Sequence, residues 1–182
     1  MSTTKPLPDI VGPGLSVIFC GLNPGLSAAA SGHHFVGRSN RFWRVLHLAG
    51  FTTLQIAAED DASLLAYGLG ITSVVERPTA GVDDLARSEF VAAAAGFEPW
   101  VRRHAPRHVA FLGKAAYGAM MGRRSVPWGR QDQPFGGAVA WVLPNPSGRN
   151  LAFSQDALVA AYRELRLSAE RPGASKRGEP EP

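Results

Sequence analysis

Four short apolar runs punctuate the chain, and the segments between them carry apolar residues at three- and four-residue intervals. Ser16-Val17-Ile18-Phe19-Cys20, bounded by Gly14 and Gly21, predicts a strand buried on both faces, because unbroken apolarity leaves neither side for water. Ile71–Val75, His108–Leu112 and Ala138–Leu143 read the same way. Phe42, Trp43, Val45, Leu46 and Ala49 share one side of a helix that Ser39-Asn40 would cap and Gly50 would end. Further helices are expected over 57–67, with acidic residues in the first turn, and over 84–104, where Pro99 is a candidate break. Two more are expected over 114–121 and 154–169, the latter with Ser154 as N-cap. Helices alternating with buried strands predict an α/β protein whose short, mainly parallel sheet is covered on both faces. Ligands of such sheets bind at the carboxyl ends of the strands. The loops after Cys20 and after Leu143 are therefore expected to converge.

Composition narrows the class. At 182 residues and 45% hydrophobic content, the chain suits one domain, expected over 9–169. Residues 1–8 are expected to be flexible, and the polar, Pro/Gly-rich stretch 170–182 to be disordered. The single cysteine, Cys20, excludes a disulfide framework, a four-cysteine zinc site and an all-cysteine iron–sulfur cluster. No apolar run approaches the roughly 20 residues of a membrane span. The first residues lack the apolar centre of a secretory signal. The expectation is a soluble, cytoplasmic (nucleoid-associated), monomeric protein with no metal and no cofactor. Lys and Arg number 19 against 15 Asp and Glu, a net +4 that permits nucleic-acid binding without diagnosing it. Arg38, Arg41 and Arg44 form one cationic group, Arg102, Arg103, Arg107 and His108 another, and Arg123 with Arg124 a third. Each is either a solvated surface or a set of phosphate contacts.

The first loop reads Gly21-Leu22-Asn23-Pro24-Gly25-Leu26-Ser27 and runs on to His33-His34-Phe35. Its glycines and proline permit a sharp turn whose N–H groups can hold an anion or carbonyl oxygen. The Asn23 carbonyl can orient a water. The second loop, Pro144-Asn145-Pro146-Ser147-Gly148-Arg149-Asn150, repeats the Asn-Pro element at the same predicted edge. One such loop needs no explanation beyond a turn; two at one edge suggest a site.

The ordered blocks GLNPGLS, GHHF, RSNRFWRVLHLAGF, ITSVVERPTAG, FLGKAAYG and VLPNPSG resemble the mismatch-specific uracil-DNA glycosylases (Mug) and their thymine-DNA glycosylase relatives. The likeness runs from about Leu15 to Leu167. It implies a three-layer α/β/α fold and cleavage of the N-glycosidic bond of uracil, and of some damaged pyrimidines, in double-stranded DNA. By this resemblance Asn23 positions the hydrolytic water and Phe35 stacks on the extruded base. Gly21, Leu22, Pro24, Gly25, His34 and Ser73 would surround that base, and Asn145, Pro146, Ser147 and Gly148 would enter the duplex. Ser73 stands where bacterial relatives often carry Lys.

Two positions carry alternatives. Asp83 either starts a helix or activates the water in place of Asn23, whereas Asp84 reads as an ordinary helix start. Arg149 stands where the wedge loop of the bacterial branch continues with Leu, so by this resemblance a planar cation that can stack or reach phosphate would fill the wedge position, which implies weak reading of the opposite base and activity on single-stranded DNA as well. Lys114 is a candidate phosphate contact. His33 and His34 are candidates either for proton donation or for loop hydrogen bonds. Trp43, Trp128 and Trp141 are expected in the core, with Trp100 undecided. A base-flipping DNA-binding protein without turnover is the competing reading, and abasic-site formation separates the two.

Overall fold

The computed structural model describes residues 6–170. Strands form at β1 (Val17–Gly21), β3 (His108–Leu112) and β5 (Val139–Leu143) as the runs predict, while β2 (Leu69–Ser73) lies two residues earlier than the expected Ile71–Val75, whose last two residues pair with the first loop instead. A two-residue strand, β4 (Gly129–Arg130), completes a five-stranded sheet in the order β2-β1-β3-β5-β4. All pairings are parallel except β4 with β5. Side chains alternate between two apolar layers, as the strand repeat demands. Val17, Phe19, Ile71, Leu112 and Leu143 face α2 (Phe42–Ala49) and α5 (Gln155–Glu170). Ile18, Cys20, Val109, Phe111 and Val142 face α3 (Arg87–His104) and α4 (Lys114–Met120). Three layers result, with the core split by the sheet.

The connection from β1 leads to β2 on one side, and the connection from β3 leads towards β5 on the other. Chain paths thus part between β1 and β3, which opens a crevice at their carboxyl ends.

Helix α2 has its first N–H, that of Phe42, bonded to Asn40 Oδ1 at 3.0 Å, and Gly50 closes it at φ +88°. Ser154 Oγ accepts the Ala157 N–H at 3.1 Å, as expected of its N-cap. Elsewhere the sequence reading needs correction. The first loop contains a short helix, α1 (Leu26–Ser31), whose Leu-Ser-Ala-Ala-Ala-Ser sequence buries only Ala28 and so carries no periodic signal. The segment expected as a helix over 57–67 is a 3-10 helix, Ala58–Tyr67, broken at Asp60. Its Asp61 is committed to the first loop, as described below.

Helix α3 begins at Arg87 rather than 84. Asp84 Oδ2 accepts the Gly81 N–H at 3.0 Å in a separate turn, and Glu89 takes the Ala86 N–H at 2.8 Å. Pro99 does not break α3: it is exposed, so water can satisfy the carbonyl that its missing N–H leaves unbonded. The amino-terminal segment is engaged from Pro8 onward, where the Pro8 carbonyl accepts a bond from His34 Nε2 at 2.9 Å. Ile10 then exchanges two backbone bonds with Ile71 on the outer edge of β2, at 2.8 and 2.9 Å. Of the stretch expected to be disordered, all beyond Glu170 lies outside the described residues. Among the described residues, no helix is long and apolar enough to cross a membrane.

Candidate active site

Beyond the end of β2 the chain keeps pairing with the first loop. Val74 N–H donates to Gly21 O at 2.9 Å, Val75 N–H to Leu22 O at 3.0 Å and Thr79 N–H to Pro24 O at 3.1 Å. This zipper brings Arg77 and Thr79 beside Asn23. The Asn23 Nδ2 group donates to Arg77 O and to Thr79 Oγ1, both at 2.8 Å. Thr79 spends its own hydroxyl proton on Gly81 O at 2.7 Å, so its oxygen can only accept from Asn23. Both partners of the amide are therefore acceptors, which fixes its orientation and leaves Oδ1 as the free acceptor.

The Arg77 end of this latch is itself held. Its guanidinium bonds both Glu89 carboxylate oxygens at 2.9 and 3.0 Å, and Asp84 O at 3.0 Å. These Arg77 bonds, with the Ala86 N–H, hold the Glu89 carboxyl below its ordinary range.

Asn23 lines a cavity of about 570 Å³ at the crevice between β1 and β3. Gly21, Leu22 and Gly25 line it from the same loop, Phe35 from the loop's far end, and Asp83 from beyond the Thr79-Ala80-Gly81 turn. Lys114 contributes from the start of α4, and Asn145, Ser147 and Arg149 from the second loop. The two Asn-Pro loops, more than a hundred residues apart in sequence, thus share one hollow.

Phe35 stacks on Phe42, with ring centroids 4.0 Å apart, and has φ +52°. A bulky residue in the left-handed region is strained, and such strain persists only where neighbours impose it. The neighbours here surround His34. Asp61 Oδ2 accepts its N–H at 2.9 Å, Trp43 Nε1 donates to its carbonyl at 3.3 Å, and its ring donates to Pro8 O. Burial pushes the His34 imidazole below its ordinary pKa, outweighing the pull of the Pro8 carbonyl and Asp61. His34 is therefore a buried anchor outside the cavity rather than a group facing a ligand. His33 also turns to Asp61, at 3.4 Å.

Other expected positions fall elsewhere too. Pro24 and Ser73 line a separate hollow of about 490 Å³. Pro146 and Gly148 build the second loop rather than line the cavity. Gly148 is packed so closely that an added Cβ would lie 2.6 Å from Ser39 O. Asn145 Oδ1 accepts the Ser147 N–H at 2.9 Å, and Asn145 O accepts from Asn150 Nδ2 at 2.9 Å. Asp83 is exposed at the cavity, whereas Asp84 is tied to Gly81. Trp43 and Trp141 are buried, but Trp128 is 41% exposed, with Lys114 Nζ 4.4 Å above its ring. Trp128 is thus a surface residue beside the site and not part of the core.

Sequence reasoning missed two residues that organise the site. Thr79 was legible only as part of a turn. Arg41 read as one of three spaced cations, yet its guanidinium binds four carbonyls of the second-loop region. These are Pro146 at 3.4 Å, Ser147 at 3.1 Å, Asn150 at 2.8 Å and Phe153 at 2.7 Å. Tyr162 on α5 adds a bond from its hydroxyl to Pro144 O at 3.1 Å, and burial raises its pKa. Among the described residues, no group of three or more His, Cys, Asp and Glu is placed to hold a metal ion.

Comparison with known proteins matches residues 8–166 to the uracil DNA glycosylase superfamily. In overall structure the chain is similar to the solution NMR structure of a candidate uracil DNA glycosylase from Methanosarcina acetivorans, at TM-score 0.57 and 19% identity. That alignment covers 90% of this chain and 98% of the other. At such identity the likeness concerns the fold, whereas the family match spans nearly the whole described region. The chain belongs to the uracil DNA glycosylase superfamily.

Proposed function

We propose that the protein is a monofunctional DNA glycosylase of the mismatch-specific type, acting on uracil and related damaged pyrimidines in double-stranded DNA. The observation that carries this reading is the latched Asn23 amide. Both of its N–H groups are committed, so Oδ1 is presented as an acceptor in a cavity that also contains an aromatic ring.

Hydrolysis forms a bond from a water oxygen to the sugar C1′ and breaks the C1′–N1 bond, whose electron pair leaves with the base. The attacked carbon is cation-like, so the water needs orientation more than deprotonation. An amide oxygen fixed by two bonds supplies that orientation. The water's proton passes to solvent or to the Asp83 carboxylate, and Phe35 offers a ring face to the extruded base. Because Asn is a very weak base, the rate depends on the stability of the departing anion. Uracil and halogenated or etheno bases are therefore cleaved before thymine.

The test is single-turnover abasic-site formation on uracil oligonucleotides. Asn23→Ala is expected to lower the rate by about 10²–10³-fold, and Asp83→Ala by much less. If Asn23→Ala keeps most of the activity and Asp83→Ala does not, water activation belongs to Asp83. Equal rates on uracil and thymine would overturn the leaving-group argument. No abasic sites on any uracil substrate would leave the non-catalytic DNA-binding reading.

A further inference from the structure

Arg77 and Glu89 lie outside the cavity and read as a surface ion pair, with side chains 52% and 30% exposed. Such pairs matter little unless their geometry is a matched fork or they belong to a network. This one has both. The guanidinium meets the carboxylate through Nε at 2.9 Å and Nη2 at 3.0 Å, and Nη2 also donates to Asp84 O at 3.0 Å. Glu89 Oε2 in turn accepts the Ala86 N–H, just ahead of α3, at 2.8 Å.

The network meets the site at two points. At its main-chain end, the Arg77 carbonyl takes one N–H of Asn23 at 2.8 Å. Pro78 follows, and a proline disfavours the helical region for the residue before it, so that carbonyl has few alternative directions. At its side-chain end, Asp84 O belongs to the single 3-10 turn Val82–Asp84, whose Asp83 lines the cavity. One residue thus ties the amide that would aim the water to the turn that would take its proton. Glu89 ties both to the 18-residue helix α3.

Resting on the glycosylase reading above, we infer that Arg77 and Glu89 are a positioning pair, which holds Asn23 and Asp83 in register for excision without touching substrate. Breaking the pair leaves every group that lines the cavity in place, so it slows the chemical step and spares DNA binding.

Glu89→Gln separates the ion pair from the helix start. One amide oxygen can still accept the Ala86 N–H, as Gln does in a capping box, but its NH2 group then faces the Arg77 Nε–H, donor against donor. The experiment compares wild type with Glu89→Gln, Arg77→Lys, Arg77→Met and the Arg77→Met/Glu89→Gln double variant. Glu98→Gln is the control, since it breaks the exposed Arg102–Glu98 pair on the same helix. Single-turnover excision from duplex uracil DNA is set beside the Kd for a duplex containing non-hydrolysable 2′-fluoro-deoxyuridine. Solvent exchange of the Asn23 side-chain N–H groups, followed by NMR in the free protein, reports the latch without turnover. Glu89→Gln and Arg77→Lys, which keeps the charge and loses the fork, should each lower the rate about tenfold at unchanged Kd and speed the Asn23 exchange. The double variant should be no slower than Arg77→Met, because the two residues act as one unit. Glu98→Gln should match wild type in all three measurements. The inference is overturned if Glu89→Gln excises at the wild-type rate, if its loss lies in Kd rather than in rate, or if Glu98→Gln loses as much. Absence of cleavage by wild type sinks the glycosylase reading by itself. The Asn23 exchange then decides the pair: faster in Glu89→Gln supports the hold on Asn23, and unchanged refutes it.

Discussion

At the scale of single residues, function rests on how few atoms define one amide. Asn23 reads in sequence as part of a Gly-Leu-Asn-Pro-Gly turn, but its orientation depends on Thr79, 56 residues later, and on the Arg77 carbonyl. Thr79→Val keeps the shape of the side chain and removes the oxygen. The amide then loses one of its two fixed partners and gains freedom to rotate. Single-turnover uracil excision is expected to fall by about 10- to 10²-fold with little change in DNA affinity, since the lost element is aim rather than contact. An unchanged rate would mean that the Arg77 carbonyl suffices. The residue type at 23 was legible because a turn at a strand end exposes it. The latch was not, because a hydrogen bond between distant segments leaves no local pattern.

At the scale of elements, strands announced themselves and loops did not. The continuous apolar runs located β1, β3 and β5, since burial on both faces disfavours polar interruption, whereas β2 was read two residues late because Gly70, Thr72 and Ser73 break its apolar pattern. The failures share one cause: an element formed by tertiary contacts has no period of its own. Helix α1 buries one alanine, β4 contains two residues, and the 3-10 segment bends beside Asp61, which turns to the His34 N–H and the His33 ring. The second loop belongs to the same class. It was visible as Asn-Pro-Ser-Gly, yet its shape comes from Arg41 and from the close approach of Gly148 to Ser39. Gly148→Ala would place a methyl against the Ser39 backbone, which cannot yield as a flexible side chain can. The loop must lift from the start of α2, and the expected result is a loss of about 1–3 kcal/mol in stability together with most excision activity. Urea denaturation and single-turnover cleavage of the same preparation check both halves.

For the whole molecule, stability and pH are joined through two buried imidazoles, His34 in the first loop and His108 at the start of β3. Burial lowers the pKa of His34, and it lowers that of His108 as well, with Arg107 and Arg130 adding to the effect. Above the ordinary value of 6.5 both are neutral in the folded and the unfolded chain. As pH falls, the unfolded chain takes up these protons first and the folded chain only at its lower values, so stability declines across that interval. The urea midpoint at about pH 5.5 should lie below that at about pH 7.5; equal midpoints would show that the two rings are solvated.

The grip of Arg41 has a wider consequence. It closes entirely on main-chain oxygens, which every amino acid possesses, so the grip itself does not depend on the side chains at 149 and 151. Positions 149 and 151 are in effect exchangeable tips on a fixed handle. Substitutions there can change what the loop presents without altering the architecture beneath.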